Sequence, residues 1–224
     1  MRVWRYVITV DRGGAPNFEP PMATLTLCKP RIREKAKCGE LVLAFNGSSL
    51  NPYEPHSVRW AGIVSELVPM SKYWDDRRFI AKRPELYGGK RAGGLADNIY
   101  VTTPEGRLTQ VKNETHVPAD TERDVGGINV LVFQQVWYFG STAPVIPREF
   151  NLRIENGRRA HRISEISEDE WCELAAWLNK NDASKNKSCV SISHVNRPLD
   201  PDSSMSRSHW QRVSGAVAPK PRRC

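Results

Sequence analysis

The chain lacks the short motifs by which many nucleotide-dependent enzymes and hydrolases are recognised. It has no Gly-x-x-x-x-Gly-Lys loop, no Gly-x-Gly-x-x-Gly turn and no Gly-x-Ser-x-Gly elbow. His116 and His161 lie in polar surroundings, and neither has a nucleophile nearby in the sequence. The sequence therefore gives no direct indication of catalysis, and we expect no cofactor.

Long apolar runs are also missing. No segment approaches the roughly 18 apolar residues that span a bilayer. Residues 1–10 alternate apolar and polar side chains and have no small-residue cleavage site, so they indicate a first strand rather than a signal peptide. We predict a cytoplasmic protein that has no membrane partner.

Cysteine is scarce and scattered. The five cysteines are Cys28, Cys38, Cys172, Cys189 and Cys224. Their odd number and wide spacing favour reduced thiols in a reducing compartment. Structural zinc sites use ligands in short pairs, and a convergence of Cys28, Cys38 and His56 is disfavoured by their spacing. We therefore predict no metal site.

The positive charge is concentrated at one end of the chain. The net charge is +8, from 33 Lys and Arg against 25 Asp and Glu. Residues 183–224 hold eight basic and two acidic side chains, a net of +6, which leaves +2 for the first 182 residues. The end segment is rich in Ser, Asn and Pro and has no periodicity, so we predict a domain over 1–182 and a basic disordered tail over 183–224.

Hydrophobic periodicity and turn residues indicate a β-rich chain. The predicted strands cover residues 3–10, 23–28, 40–45, 58–68, 98–103, 108–111 and 128–136. The predicted helices are 31–37 after Pro30, a short helix capped by Ser71, and 168–179 with a Ser167/Glu170 capping box. Without βαβ alternation, this order favours a β-rich α+β fold, a small partly closed pseudo-barrel with peripheral short helices.

Two basic segments are candidates for phosphate contact. One surrounds the helix start at Pro30 and contains Lys29, Arg31, Arg33, Lys35 and Lys37. Unpaired N–H groups and cations at such a place suit an anion, although a solvated helix face explains them equally well. The other contains Arg77, Arg78, Lys82 and Arg83 among Tyr73, Trp74 and Phe79, a mixture that suits base stacking. We expect Phe79 in the core and leave Trp74 open.

Two loops carry side chains that can read a base. Asp97 and Asn98 enter a predicted strand just before Tyr100, where they can face the donors and acceptors of a base while Tyr100 stacks. Asp11 and Asn17 flank a Gly-Gly-Ala-Pro loop. Ordinary turn chemistry explains both pairs equally well.

Taken in order, these segments resemble a known family, the second type of nucleotide-modification-associated domain. The resemblance lies in Thr-Leu-Cys-Lys-Pro-Arg-Ile-Arg at 26–33, Asp-Asn-Ile-Tyr at 97–100, and the segments 6–11, 15–17, 73–75, 78–79, 82–84, 137–140 and 146–147. It spans roughly residues 6 to 178. A shorter likeness at 39–45 and 62–67 is similar to PUA-like modules, which hold a nucleobase on a small pseudo-barrel.

The resemblance implies a nucleotide or modified-base recognition module in a DNA-modification or phage- or defence-related system, with a nucleotide or nucleic acid as partner. The predicted pocket residues are Asp11, Asn17, Asp97, Asn98 and Tyr100. The predicted phosphate contacts are Lys29, Arg31, Arg33, Lys82 and Arg83. One alternative is an enzyme acting on a nucleotide or nucleobase with Asp11 as general acid or base, and another is an adaptor whose tail binds nucleic acid.

Overall fold

A computed structural model describes residues 1–11, 13–19, 22–51, 54, 56–84, 96–154 and 161–182. The predicted tail, 183–224, and the glycine-rich segment 88–94 lie outside these ranges. Over the ranges described, none of the helices has the length and apolar character needed to cross a bilayer.

Eight strands and four short or medium α-helices make up the described fold. The strands are β1 (Arg2–Ile8), β2 (Ala23–Leu25), β3 (Leu41–Asn46), β4 (Val58–Pro69), β5 (Tyr100–Thr102), β6 (Leu108–Gln110), β7 (Asn129–Tyr138) and β8 (Arg162–Glu165). The α-helices are α1 (Pro30–Lys35), α2 (Met70–Tyr73), α3 (Thr121–Val125) and α4 (Glu168–Asn181). Single 3-10 turns cover Arg77–Lys82, Pro118–Asp120, Gly140–Thr142 and Arg148–Phe150.

Six strands form one mixed sheet in the order β2-β7-β4-β3-β1-β8, and β5 pairs with β6 in a separate hairpin. Only β1 and β3 run parallel in the described sheet. The β-rich α+β class is confirmed. The closed wall of a pseudo-barrel is not found among the described strands, because β8 pairs with the free edge of β1 while the three-residue β2 ends the sheet on the other side.

Most predicted elements are present, with shifted ends. The Ser167/Glu170 capping box starts α4 as expected. The Ser71 cap is wrong, because α2 starts at Met70 directly after Pro69, and Asp76 instead caps the next turn by accepting from the Arg78 N–H. α3 and β8 were not predicted, since both are short and mostly polar.

One face of the sheet is covered by α4. Leu174 and Leu178 are fully buried against a cluster that includes Val3 and Val7 of β1. Burial of a leucine side chain contributes about 1.5–3 kcal/mol, so these two residues anchor the helix. The predicted packing role of this helix is confirmed.

The other face carries α1 and the candidate site. Trp4, Tyr6 and Ile8, the alternate residues of β1, lie in a cluster with Ile32 of α1 and Trp60 of β4. A neighbouring cluster joins Leu27, Phe79 and Tyr100, which packs the β5–β6 hairpin beside β2. Phe79 is fully buried, as expected for a core residue.

Candidate functional site

The turn between β2 and α1 is the centre of the site. Cys28 and Lys29 have φ angles of 55° and 44°, a left-handed conformation that non-glycine residues rarely adopt. Pro30, the first helical residue, then starts α1. Each left-handed residue costs roughly 1–2 kcal/mol, so surrounding contacts must hold the turn in place.

Arg33 supplies several of those contacts. It is fully buried, its Nε donates to the Cys28 carbonyl at 2.8 Å, and its two terminal nitrogens donate to the carbonyls of Thr26 and Asp124. Burial lowers the pKa of Arg33 to about 10, so the group remains charged at neutral pH. Arg33 was predicted to contact a phosphate, and in the structure its donors point into the fold.

A buried thiol, imidazole and carboxylate lie in a row behind this turn. The Sγ atom of Cys28 lies 3.5 Å from Nε2 of His116, and Nδ1 of His116 lies 2.5 Å from Oδ2 of Asp124. The carboxylate also accepts the main-chain N–H of Cys28 at 2.8 Å and the Tyr100 hydroxyl at 3.0 Å. His116 therefore has a nucleophile partner after all, 88 residues away in the sequence.

These three residues are of metal-binding types, and their ligand atoms all lie within 4.8 Å of one another. The two ring nitrogens of His116 nevertheless face different partners, the thiol and the carboxylate. A single ion would have to bind one of these nitrogens, the thiol and the carboxylate at the same point. The arrangement therefore fits a chain of proton contacts better than a metal centre.

Tyr100 is also internal. Its side chain is buried, and its hydroxyl donates to Asp124 while accepting from Gln110 Nε2 at 3.1 Å. Burial, followed by the neighbouring Asp124 charge, raises the pKa of Tyr100. The structure therefore places the ring predicted to stack on a base within the hydrophobic core.

Asp97 lies in a pocket of hydroxyl groups. Its carboxylate is fully buried and accepts from Thr24 Oγ1 at 2.6 Å, Thr26 Oγ1 at 2.8 Å and the Tyr73 hydroxyl at 3.1 Å. Burial raises the pKa of Asp97, although the charge of Lys82 and the three hydroxyls act in the opposite direction. Thr24 in β2 and Thr26 just after it are alternate residues of one extended segment, so both side chains point at this carboxylate.

Asn17, Lys82 and Asn98 surround Asp97. Lys82 is fully buried and donates from Nζ to Asn17 Oδ1 at 2.8 Å. Asn98 donates from Nδ2 to the Tyr73 carbonyl at 3.1 Å, while its buried Oδ1 accepts no hydrogen bond from the residues that the structure describes. Four predicted site residues thus share one buried polar cluster, and one of them presents an unused acceptor.

Asp11 is held in a second polar cluster. Its Oδ2 accepts from Arg59 Nε and from the Tyr138 hydroxyl, each at 2.7 Å, and the Asp11 and Arg59 side chains are only 1% and 3% exposed. Sequence reasoning selected Asp11 but missed Arg59 and Tyr138. Arg59 lies in a strand that was predicted as buried, and Tyr138 lies just past the predicted end of a strand at residue 136, so no local signal marked either as a partner of Asp11.

Tyr6 links the second cluster to the Cys28 turn. Burial raises the pKa of Tyr6 well above its ordinary value, and the charges of Asp11 and Cys28 raise it further. Both groups therefore lie within electrostatic range of the same hydroxyl. The Lys29 ammonium sits 4.6 Å from the centre of the Tyr6 ring and donates to the Val7 carbonyl at 3.1 Å.

A group of cationic side chains, here called the cationic rim, borders Lys29. Its members are Lys29, Arg31, His161 and Arg162. Arg31 is exposed and the other three are half-buried. Burial lowers the pKa of His161, and the charges of Arg31, Arg162 and Lys29 lower it further, which places these three cations within electrostatic range of His161. The His161 ring also packs on Trp4, with 5.9 Å between ring centres.

The ring contact and the hydrogen bond of Arg83 are made with Trp74 rather than with either buried cluster. Its guanidinium is 4.5 Å from the centre of the Trp74 ring, and its Nε donates to the Trp74 carbonyl at 3.1 Å. Trp74, whose role was left open, is half-buried beneath this cation. The pair is suited to packing against a planar ligand but is equally stable without one.

One protein family matches the chain. It is described as nucleotide modification associated domain 2, and its sequence model covers residues 1–196. The match contains the whole described fold and extends past residue 182, where the predicted domain boundary remains a prediction. No curated protein and no solved structure matches the chain.

Proposed function

The chain belongs to the nucleotide modification associated domain 2 family, and on this premise we propose that it binds a nucleotide or a modified base within a nucleotide-modification system. One observation carries the proposal: the cationic rim adjoins the strained Cys28–Lys29 turn, behind which the buried polar groups converge. A nucleotide has the matching asymmetry, with a charged phosphate at one end and a polar heterocycle at the other.

The rim would receive the phosphate. Lys29 and Arg31 stand at the start of α1, and His161 and Arg162 stand beside them at the start of β8. Phosphate contacts of this kind release counterions, so binding weakens as salt concentration rises. Arg33, Lys82 and Arg83, the other proposed phosphate contacts, are more remote candidates, because Arg33 and Lys82 are fully buried and the Arg83 guanidinium lies on the Trp74 ring.

The polar clusters would receive the base. Asn98 Oδ1 is a buried acceptor without a protein donor among the described residues, and an exocyclic amino group of a base would satisfy it. Further acceptors come from Asn17 and Asp97 in the cluster of Asn98 and from Asp11 in the second cluster. Tyr100 would act through Asp124 rather than by stacking.

The test is binding of the full chain to free nucleotides and to modified and unmodified DNA at two salt concentrations. The Lys29→Gln/Arg31→Gln variant should reduce the slope of log affinity against log salt by about one to two, since each phosphate contact contributes about 0.7–0.9. Lys180→Gln is the matched control, because Lys180 is exposed on α4, which covers the opposite face of the sheet. Absence of salt-dependent binding to every ligand would refute the proposal.

An enzyme acting on a nucleotide or nucleobase is a second candidate. It is favoured by the Cys28–His116–Asp124 contacts. Asp11, the general acid or base suggested by the sequence, supports this candidate less well, because Arg59 and Tyr138 already hold its Oδ2 atom.

A further inference from the structure

The order of contacts around His116 is that of a nucleophile, a base and an orienting acid. Nε2 of His116 faces the Cys28 thiol at 3.5 Å, while Nδ1 faces the Asp124 carboxylate at 2.5 Å. When Nδ1 carries the proton that is shared with the carboxylate, Nε2 is left with a lone pair directed at the thiol. The imidazole can then accept the thiol proton.

Asp124 is itself held firmly in this position. Its side chain is fully buried, one oxygen accepts the Cys28 N–H at 2.8 Å, and the other accepts the Tyr100 hydroxyl at 3.0 Å. These donors fix the carboxylate and, through it, the plane of the imidazole. Orientation of the base by a third group is the common feature of activated nucleophiles.

The backbone of Cys28 gives a second, independent indication. Cys28 lies at a strand-to-helix turn with a φ of 55°, and Lys29 follows with a φ of 44°. Glycine would adopt this turn without strain, so a cysteine at this position needs a reason. Sharp strand-to-helix turns of this type present nucleophiles in several hydrolases.

The charges that face the thiol come from every element packed around it. Arg33 of α1 and Arg123 of α3 supply the guanidinium groups in range, and Arg123 Nε lies 3.8 Å from Oδ1 of Asp124. Tyr6 of β1 and Tyr100 of β5 are phenols whose pKa values are raised. Arg33 and a protonated His116 favour the thiolate, and Asp124 offsets part of this effect.

We propose that Cys28 is a catalytic nucleophile, that His116 is its general base, and that Asp124 is the residue that positions His116. The reaction class is transfer of an acyl group from an ester or amide. The thiol proton moves to His116 Nε2 as sulfur bonds to the carbonyl carbon, and the alcohol or amine then departs with that proton. Water, activated by His116, hydrolyses the thioester and regenerates the thiol.

The proposal goes beyond nucleotide binding and does not depend on it. Binding of a nucleotide does not require an activated thiol, and Cys28 can be activated in a chain that binds none. The two ideas therefore fail separately.

The main test is alkylation of the full wild-type chain with iodoacetamide, a small electrophile, between about pH 5 and 9. Cys38 and Cys172 are exposed and serve as internal references, and site-resolved mass spectrometry gives a rate for each thiol. Because Cys28 is buried, the comparison is of pH profiles rather than of absolute rates: the rate of Cys28 should level off at a lower pH than the rates of the references. This measurement requires no substitution, so it does not depend on a variant that folds.

Variants then assign the roles. His116→Gln should return the pH profile of Cys28 to that of Cys38, and Asp124→Asn should shift it in the same direction. His56→Gln should leave it unchanged, because His56 lies beside Arg148 and Arg153 instead. The proposal is overturned if folded Cys28 does not react, if it shares the profile of Cys38, or if His116→Gln has no effect.

The acyl assignment has its own probe. p-Nitrophenyl acetate should transfer its acetyl group to Cys28 in wild-type chain and not to Cys28→Ser. If Cys28 is alkylated as proposed but is not acetylated, the assignment of the reaction to acyl transfer is overturned. Nucleotide binding by Cys28→Ser, measured in parallel, tests the proposed function alone.

Discussion

At the scale of single residues, buried charge is used to hold the main chain. Arg33 donates to the carbonyls of Thr26 and Cys28, and Lys82 donates to Asn17. Both cations are fully buried. Hydrogen bonds of this kind offset the desolvation of a charge, so removal of either partner leaves the other unsatisfied in the interior.

Asp97 gives a pH-dependent prediction at this scale. Because burial raises its folded pKa above the ordinary value of 3.8, the folded state binds the proton more tightly than the unfolded state. The contribution of Asp97 to stability is thus fully present below the ordinary pKa and is lost as pH rises through the raised folded value. The free energy of urea unfolding, wild type minus Asp97→Asn, should fall over that window. A difference that is constant or rises with pH would contradict the burial argument.

At the scale of elements, α4 shows how a local signal fixes a helix start. Ser167 accepts from the Glu170 N–H at 3.2 Å, and Glu170 accepts from the Ser167 N–H at 2.7 Å. The helix then buries Leu174 and Leu178 against the sheet. The cap and the apolar stripe lie within one segment, so the sequence alone was sufficient to predict both.

Loss of this cap should destabilise the domain. We expect Ser167→Ala to lower the free energy of unfolding by about 1 kcal/mol, because the first-turn N–H groups lose their side-chain acceptor. Ser71→Ala is the matched control, since Ser71 is exposed and its side chain does not cap α2. Urea denaturation of both variants measures the difference. Equal effects would show that the α4 cap contributes nothing specific.

At the scale of the whole molecule, charge is divided between a nearly balanced segment, residues 1–182, and a basic end segment, residues 183–224. The first 182 residues carry a net charge of +2, against +6 for residues 183–224. The rim supplies a local cationic surface that the small net charge of the domain conceals. Affinity for nucleic acid can therefore arise from either part, with different consequences for specificity.

Replacement of the eight basic residues of 183–224 by glutamine separates these contributions in the full chain. If the domain is the reader, total affinity for DNA should fall and the salt slope should decrease, while the preference among nucleotides or modified bases is kept. Anisotropy titrations at several salt concentrations give both quantities. Complete loss of binding and preference would favour the adaptor alternative.

The sequence determined the elements whose signals are local. Alternating apolar residues predicted β1, apolar runs predicted β3, β4 and β7, and the turn residues at 104–106 predicted the β5–β6 hairpin, because such patterns involve only a few neighbouring positions. The same reasoning placed Lys29, Asn98 and Asp97 among the residues of interest, since they stand at element ends. It missed α3 and β8, whose short polar sequences become ordered through their neighbours.

Only the tertiary structure decided which side chains meet. Cys28 lies 88 residues from His116 and 96 from Asp124, and Asp11 lies 127 from Tyr138. The parallel β1–β3 pair and the pairing of β8 with β1 also join distant segments, and no closed barrel is found among the described strands. Such contacts depend on how the chain returns through three dimensions, and no spacing along the sequence encodes that path.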